Sequence, residues 1–236
     1  MQREEDLQCQ GLKIVQDDQL YTFTSDSVVL ANFVDIKKNQ SAVEIGSGSG
    51  VISILLSAKT DVKKIFAFEI QKQMADLASQ NIKLNGLEEK IELFCDDIAN
   101  FSKYLKNGSA DVVFSNPPYM NSSFACKNSV KSIARHDKAL PPQKLCSCAS
   151  KLLKSGGKFF LCYAPSRLSE IFACMSKNKI EPKRMFFTQN QKGEIKLCFI
   201  EGVKDAKVGL KVLPSLTVND ADGKYLEALH TKYFKA

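Results

Sequence analysis

Five short apolar runs, each followed by a stretch of helical spacing, constrain this chain more than any other feature of it. They occupy residues 42–45, 64–68, 90–94, 111–114 and 158–163. Between them Ile52, Leu55 and Leu56 mark one helix face, and Met74, Leu77, Ala78 and Ile82 mark another that Asn85-Gly86 ends. A further helix starts at Pro141-Pro142 and carries Leu145, Ala149 and Leu152 inward, before Ser155-Gly156-Gly157 turns the chain into the next strand. This alternation predicts an α/β fold, a Rossmann-like parallel sheet with helices on both faces. Near the end the pattern changes: strand-like runs at 184–188 and 194–200 flank Asn190-Gln191-Lys192-Gly193, which predicts an antiparallel hairpin closing the sheet. Residues 25–34 read as a helix capped by Thr24 or Ser25, packing Val28, Val29 and Phe33. The roughly two dozen residues before it are too few for a separate folded domain. The expectation is one domain, with an N-terminal segment and helix over 1–38, a core over 39–203 and a tail over 204–236.

At 236 residues, 44% of them hydrophobic, the chain can bury a full core. It opens on the charged run Met1-Gln2-Arg3-Glu4-Glu5-Asp6, and no apolar stretch approaches the length of a membrane span, so a cytoplasmic protein with no membrane partner is expected. Eight cysteines form no CxxC pair and no Cys/His metal spacing, and read as reduced fillers with no metal site. Cys146 and Cys148, two apart in a helix, face different ways. The net charge of +7 favours an acidic polymer as partner. The nearest thing to a basic cluster is Lys177, Lys179, Lys183 and Arg184, which reads either as a solvated surface or as a nucleic-acid contact.

The chemistry lies at the strand ends. Glu44-Ile45-Gly46-Ser47-Gly48-Ser49-Gly50 follows the first sheet strand and opens a helix, and its alternate glycines let a ligand approach the backbone. The spacing is GxGxG, not GxGxxG, and a helix N-terminus alone does not choose between phosphate and carboxylate. Glu69 closes the second strand about twenty residues later, where a carboxylate can accept both ribose hydroxyls of an adenosine. Asp97 follows the third strand, placed either to accept from an adenine amino group while Ile70 and Ile98 sandwich the ring, or simply to cap the next helix. Together these residues outline an elongated adenosine ligand across three strand ends.

After the fourth strand comes Asn116-Pro117-Pro118-Tyr119. A buried Asn offers a carbonyl oxygen, and the Pro117 carbonyl can turn inward because neither proline has an N–H to satisfy. Two acceptors then converge on one NH2 group, and Tyr119 adds an aromatic face for a flat substrate. The plainer reading is a turn, since Asn-Pro commonly initiates one. If the 42–45 strand is first and the 111–114 strand fourth, both loops meet at the switch point of the sheet, where open α/β sheets bind ligands. An adenosine cofactor beside an amine-gripping pocket points to group transfer to nitrogen, and the glycine loop suits the amino-acid end of S-adenosylmethionine.

The glycine motif, Glu69, Asp97 and Asn116–Tyr119 resemble the class I S-adenosylmethionine-dependent amino methyltransferases, whose sheet has seven strands with the last antiparallel. More narrowly, the Leu20-to-Val34 stretch, Ile133-Ala134-Arg135-His136 and the tail from Pro214 to Tyr225 are similar to the bacterial tRNA(Val) adenine-N6 methyltransferases, which modify the adenine beside the anticodon, position 37 of that tRNA. The resemblance implies a catalytic set of Asn116, Pro117, Pro118 and Tyr119. It implies a cofactor set of Thr24, Asp26, Glu44, Gly46, Gly48, Ser49, Gly50, Glu69, Ile70, Asp97, Ile98 and Asn116, no metal, and a tRNA anticodon loop bound by a monomer. Thr24 and Asp26 read equally well as caps of the helix at residue 25. Arg135 and His136 fall where a substrate lid could lie, and His136 is kept out of the catalytic set because the chemistry needs no strong base. Rival readings are a protein-glutamine methyltransferase acting on a release factor, a DNA adenine methyltransferase, and a retired methyltransferase fold that only binds RNA.

Overall fold

The computed structural model of the protein describes residues 1–20, 22–117 and 140–218. Its elements run β1 (Gln2–Asp6), β2 (Lys13–Asp17), α1 (Ser25–Phe33), β3 (Ser41–Ile45), α2 (Val51–Lys59), β4 (Lys64–Phe68), α3 (Lys72–Leu84), β5 (Ile91–Phe94) and β6 (Ala110–Ser115). After the break come α4 (Pro142–Leu152), β7 (Leu153–Tyr163), α5 (Leu168–Lys177), β8 (Ile180–Gln189), β9 (Ile195–Lys204), β10 (Lys211–Val212) and β11 (Leu216–Thr217).

The main sheet has the order β10-β8-β9-β7-β6-β3-β4-β5, with β11 also paired to β8. Strands β3 to β7 pair in parallel, and β9 runs antiparallel to both β7 and β8. The expected seven strands are therefore present, with the antiparallel one last among them. The sheet nonetheless has nine strands, because two-residue pieces at 211–212 and 216–217 return along the free edge of β8. Such short pairings depend on where the returning chain meets that edge, and carry no periodicity of their own.

Alternation along the buried strands splits the core into two layers. Val112 and Phe114 of β6 pack with Leu30, Leu55 and Ile65 on one face, while Val113 packs with Leu145, Ala149 and Met175 on the other. Strand β7 begins earlier than the sequence predicts: Leu153 already pairs with Ala110, then Val112 pairs with Lys158, and the intervening residues bulge out. Gly156 takes a φ of 75° there, and a Cβ on Gly157 would come within 2.9 Å of the Lys154 carbonyl oxygen. The expected turn thus sits inside the strand as a bulge. The hairpin at Asn190–Gly193 is as expected, closed by the Gly193 N–H on the Asn190 carbonyl at 3.0 Å.

The N-terminal segment holds an unexpected element, the antiparallel hairpin β1–β2. Two asparagines of α3 dock it. Asn85 accepts from the Lys13 N–H and donates to the Lys13 carbonyl, at 2.9 and 2.7 Å, and Asn81 does the same for Val15, at 2.7 and 3.1 Å. Residues two apart on a strand advance by about 6.6 Å and four residues of helix rise by about 6 Å, so side-chain amides at i and i+4 match alternate residues of a strand edge.

Burial drives the Cys146 thiol well upward and pushes that of Cys198 up to about 12, which fits inert fillers. The residues of the basic cluster fall in different places. Lys177 and Lys179 precede β8, which runs parallel to β7, so they lie at the amino edge of the sheet, away from the strand ends that carry the glycine and Asn116 loops. Arg184 is committed internally: its guanidinium pairs with buried Glu201 and lies 5.5 Å from the centre of the Phe33 ring. Among the described residues, no helix is long and apolar enough to cross a membrane.

Candidate active site

Strand β3 has β4 on one side and β6 on the other, so the chain reverses its direction of travel across the sheet at this strand. The glycine loop and Asn116 leave adjacent strand ends, and the buried Ser115 hydroxyl donates to the Ile45 carbonyl at 2.7 Å, tying the loops together. The switch-point placement inferred from the sequence is what the structure has.

In the loop Gly46, Gly48 and Gly50 all take positive φ, 75°, 56° and 83°. A side chain at Gly50 would also face the Ala78 Cβ at 3.5 Å. The loop is wired from three directions. The N–H groups of Gly46 and Ser47 both reach the Phe68 carbonyl, at 2.9 and 3.0 Å. The Gly48 N–H donates to Glu69 Oε2 at 2.9 Å, while Asn81 Nδ2 reaches the Ser49 carbonyl at 3.0 Å.

Glu69 is buried at the end of β4, and its other oxygen accepts from the Gln71 N–H at 2.9 Å. Oε2 keeps a second lone pair for a ligand hydroxyl, while Oε1 is also reached by the Gln71 side-chain amide at 3.5 Å. Glu44, the acid of the glycine motif, makes its own contact within the protein. It is 1% exposed and turned beneath the loop, where its carboxyl group lies on the hydroxyl and backbone N–H of Ser53 in the first turn of α2. Burial pushes its pKa up to about 8, so it is protonated at neutral pH. Its role is to brace the start of α2.

Asp97 caps the turn that follows β5. Its Oδ1 accepts from the Ala99 N–H at 2.8 Å at the head of a 3-10 turn (Ile98–Lys103), and Oδ2 pairs with Lys144 Nζ of α4 at 2.6 Å. Ile70 is 47% exposed beside these strand ends, whereas Ile98 is 5% exposed and belongs to the core. Thr24 stands at the cap position of α1, but its hydroxyl donates to Asp26 Oδ2 at 2.9 Å rather than accepting from a backbone N–H.

On the β6 side Pro117 is buried and Asn116 half-buried. The Asn116 amide nitrogen donates to Ser27 Oγ at 3.2 Å, while its carbonyl oxygen is buried with no partner among the described residues. Glu44 Oε1 and Ser47 Oγ are also buried and unpartnered at the β3 end. Orphaned buried acceptors are uncommon because each costs roughly 1–3 kcal/mol. Pro118, Tyr119, Arg135, His136 and the tail beyond Val218 lie outside the described residues.

Ser27, Asn81 and Lys144 escaped the sequence reading. A signal existed for Asn81, the polar residue between Ala78 and Ile82 on an apolar helix face; Ser27 was hidden among capping residues.

Known proteins place this architecture. Residues 24–170 match the model of the methyltransferase small domain. A tRNA1(Val) (adenine(37)-N6)-methyltransferase from Photorhabdus laumondii is 28% identical over 206 residues, 86% of this chain and 83% of that one. The protein of the same name from Dyadobacter fermentans is 26% identical over 93% of each chain. Among solved structures, a predicted O-methyltransferase from Agrobacterium tumefaciens matches with a TM-score of 0.69 at 15% identity, over 89% of this chain and 97% of its own. TYW2 of M. jannaschii, solved in complex with AdoMet, matches at 0.60 and 14%, over 86% and 85%. With a class I methyltransferase sheet, its loops meeting at the switch strand and a family match over most of its length, the chain belongs to the methyltransferase small domain family.

Proposed function

We propose that this protein uses S-adenosylmethionine to methylate the exocyclic N6 of adenine in tRNA, its target being adenine 37 of a valine tRNA. The observation that carries the reading is the buried, unpartnered Asn116 oxygen beside the glycine loop. An N–H or O–H donor brought by a ligand would satisfy it, and an amine there would stand next to the cofactor cradle. The residues fit the cofactor: three positive-φ glycines open the backbone, Glu69 keeps a lone pair for a ribose hydroxyl, exposed Ile70 offers an apolar surface for the adenine ring, and Asp97 stands at the next strand end. The family match supports methyl transfer, and the names of the relatives, which span most of this chain, support the tRNA target.

When bound, the cofactor supplies an electrophilic methyl group on a positively charged sulfonium. The chain's own residues orient and hold. The adenine amine is a poor nucleophile because its lone pair is delocalised into the ring. An N–H donated to Asn116 Oδ1, and a second to the Pro117 carbonyl, would favour a pyramidal nitrogen with its lone pair aimed at the methyl group. The proton leaves after transfer, so the site needs no strong base. An unpaired anticodon-loop base enters such a pocket at less cost than one stacked in a duplex.

The test is incubation with labelled S-adenosylmethionine and total tRNA from cells lacking the enzyme, followed by nucleoside mass analysis. N6-methyladenosine in the valine tRNA anticodon loop is expected. Label on a glutamine of a purified release factor, with none on tRNA, would replace this reading with the protein-methyltransferase one.

A further inference from the structure

We infer that Ser27 is a positioning residue for Asn116, an inference that rests on the reading of Asn116 as the group that grips the substrate amine. Ser27 lies in the first turn of α1, 5% exposed, and β6 delivers Asn116 to it from 89 residues away. Its hydroxyl oxygen accepts one proton of the Asn116 amide nitrogen at 3.2 Å. The backbone N–H of Ser27 is already used on the Thr24 carbonyl at 3.0 Å, so the side chain is what α1 offers Asn116 there.

The consequence follows from the two ends of a primary amide. Nitrogen can only donate and oxygen can only accept, and they exchange places by a half-turn about the last side-chain bond. The Ser27 hydroxyl can donate as well as accept, so its bond holds the amide in place, and in the direction the structure has, nitrogen on Ser27, the oxygen faces away from α1, buried and without a partner among the described residues, as a site for an amine needs. Without the anchor, the flipped amide would present its NH2 group to the substrate's NH2 group, donor against donor. Ser27, 5% exposed, thus acts through Asn116. A helix read from sequence as an N-terminal cap thereby becomes a wall of the acceptor pocket.

Two measurements test this separately from the substrate assignment. The first is exchange of the Asn116 side-chain amide protons, assigned by their loss in Asn116→Ala. Exchange should be slow in the native protein, about tenfold faster in Ser27→Ala and in the near-isosteric Ser27→Cys, and slow again in Ser27→Thr, which keeps the hydroxyl. Equal exchange in native protein, Ser27→Ala and Ser27→Cys overturns the inference whatever the enzyme methylates. The second is a kinetic cycle on tRNA. Ser27→Ala should lower turnover roughly tenfold to a hundredfold with cofactor affinity unchanged, and should cost nothing further in an Asn116→Ala background. Losses that add in the double variant overturn the inference, because Ser27 would then act by another route. A native protein with slow exchange that methylates no tRNA overturns the substrate reading and leaves Ser27's role supported.

Discussion

The two loops that meet at the switch strand are built on opposite terms. The glycine loop after β3 is held by backbone and side-chain bonds from β4, Glu69 and Asn81, so most of its polar groups are settled before any ligand arrives. After β6, among the described residues, Asn116 is held by a 3.2 Å side-chain bond to Ser27 and leaves a buried acceptor open. A wired loop presents a fixed shape to a cofactor that every turnover uses. An open acceptor costs stability in the free protein and is repaid only when a donor enters, which makes the energy available to the reacting complex.

Removing the open acceptor should give the largest effect. Asn116→Ala is expected to lower single-turnover methyl transfer by on the order of a hundredfold while cofactor affinity stays within about twofold. A near-native rate would erase the distinction between the loops. On the wired side, Asn81→Leu keeps the volume but strands the Val15 N–H and the Val15 and Ser49 carbonyls. A stability loss of roughly 2 kcal/mol or more is expected in denaturant unfolding. If unfolding is unchanged, the hairpin and the glycine loop are not braced by this side chain.

Glu69→Ala should weaken S-adenosylmethionine binding about tenfold, measured by calorimetry, since alanine neither accepts ribose hydroxyls nor holds the Gly48 N–H. Unchanged affinity would remove Glu69 from the site. The smallest expected effect concerns the proton on Glu44. Its folded-state pKa, about 8, stands above the ordinary 4.5, so its contribution to stability is complete below about pH 4.5 and is lost as pH climbs toward 8. Glu44→Gln mimics the protonated group without that loss. Its advantage over the native protein in thermal unfolding should be greatest near pH 8 and vanish near pH 4.5. A pH-independent difference would mean that Glu44 is not held protonated.

Much of this was legible in the chain. Hydrophobic periodicity gave the strands of the parallel sheet, since a strand buried on both faces must be apolar throughout, and Gly46, Gly48 and Gly50 announced a backbone that only glycine adopts readily. Asn116 was legible because an Asn before two prolines can put acceptors into one pocket without leaving stray donors. The hairpin β1–β2 was not, because Arg3-Glu4-Glu5 carries no apolar alternation and the partners of β2 lie some seventy residues away on α3. Glu44 and Glu69 look alike as strand-end acids, and only the register, one residue short of the end of β3 against one past the end of β4, made one a brace beneath the loop and the other a partner of its backbone. Arg184 read only as one of a basic cluster, and β9 brings Glu201 beside it. Local spacing thus determined which elements form and which residue types end the strands. Tertiary structure alone decided which polar atoms find partners, because a hydrogen bond between residues 27 and 116 exists only once β6 has been laid beside β3 and α1 has packed over them.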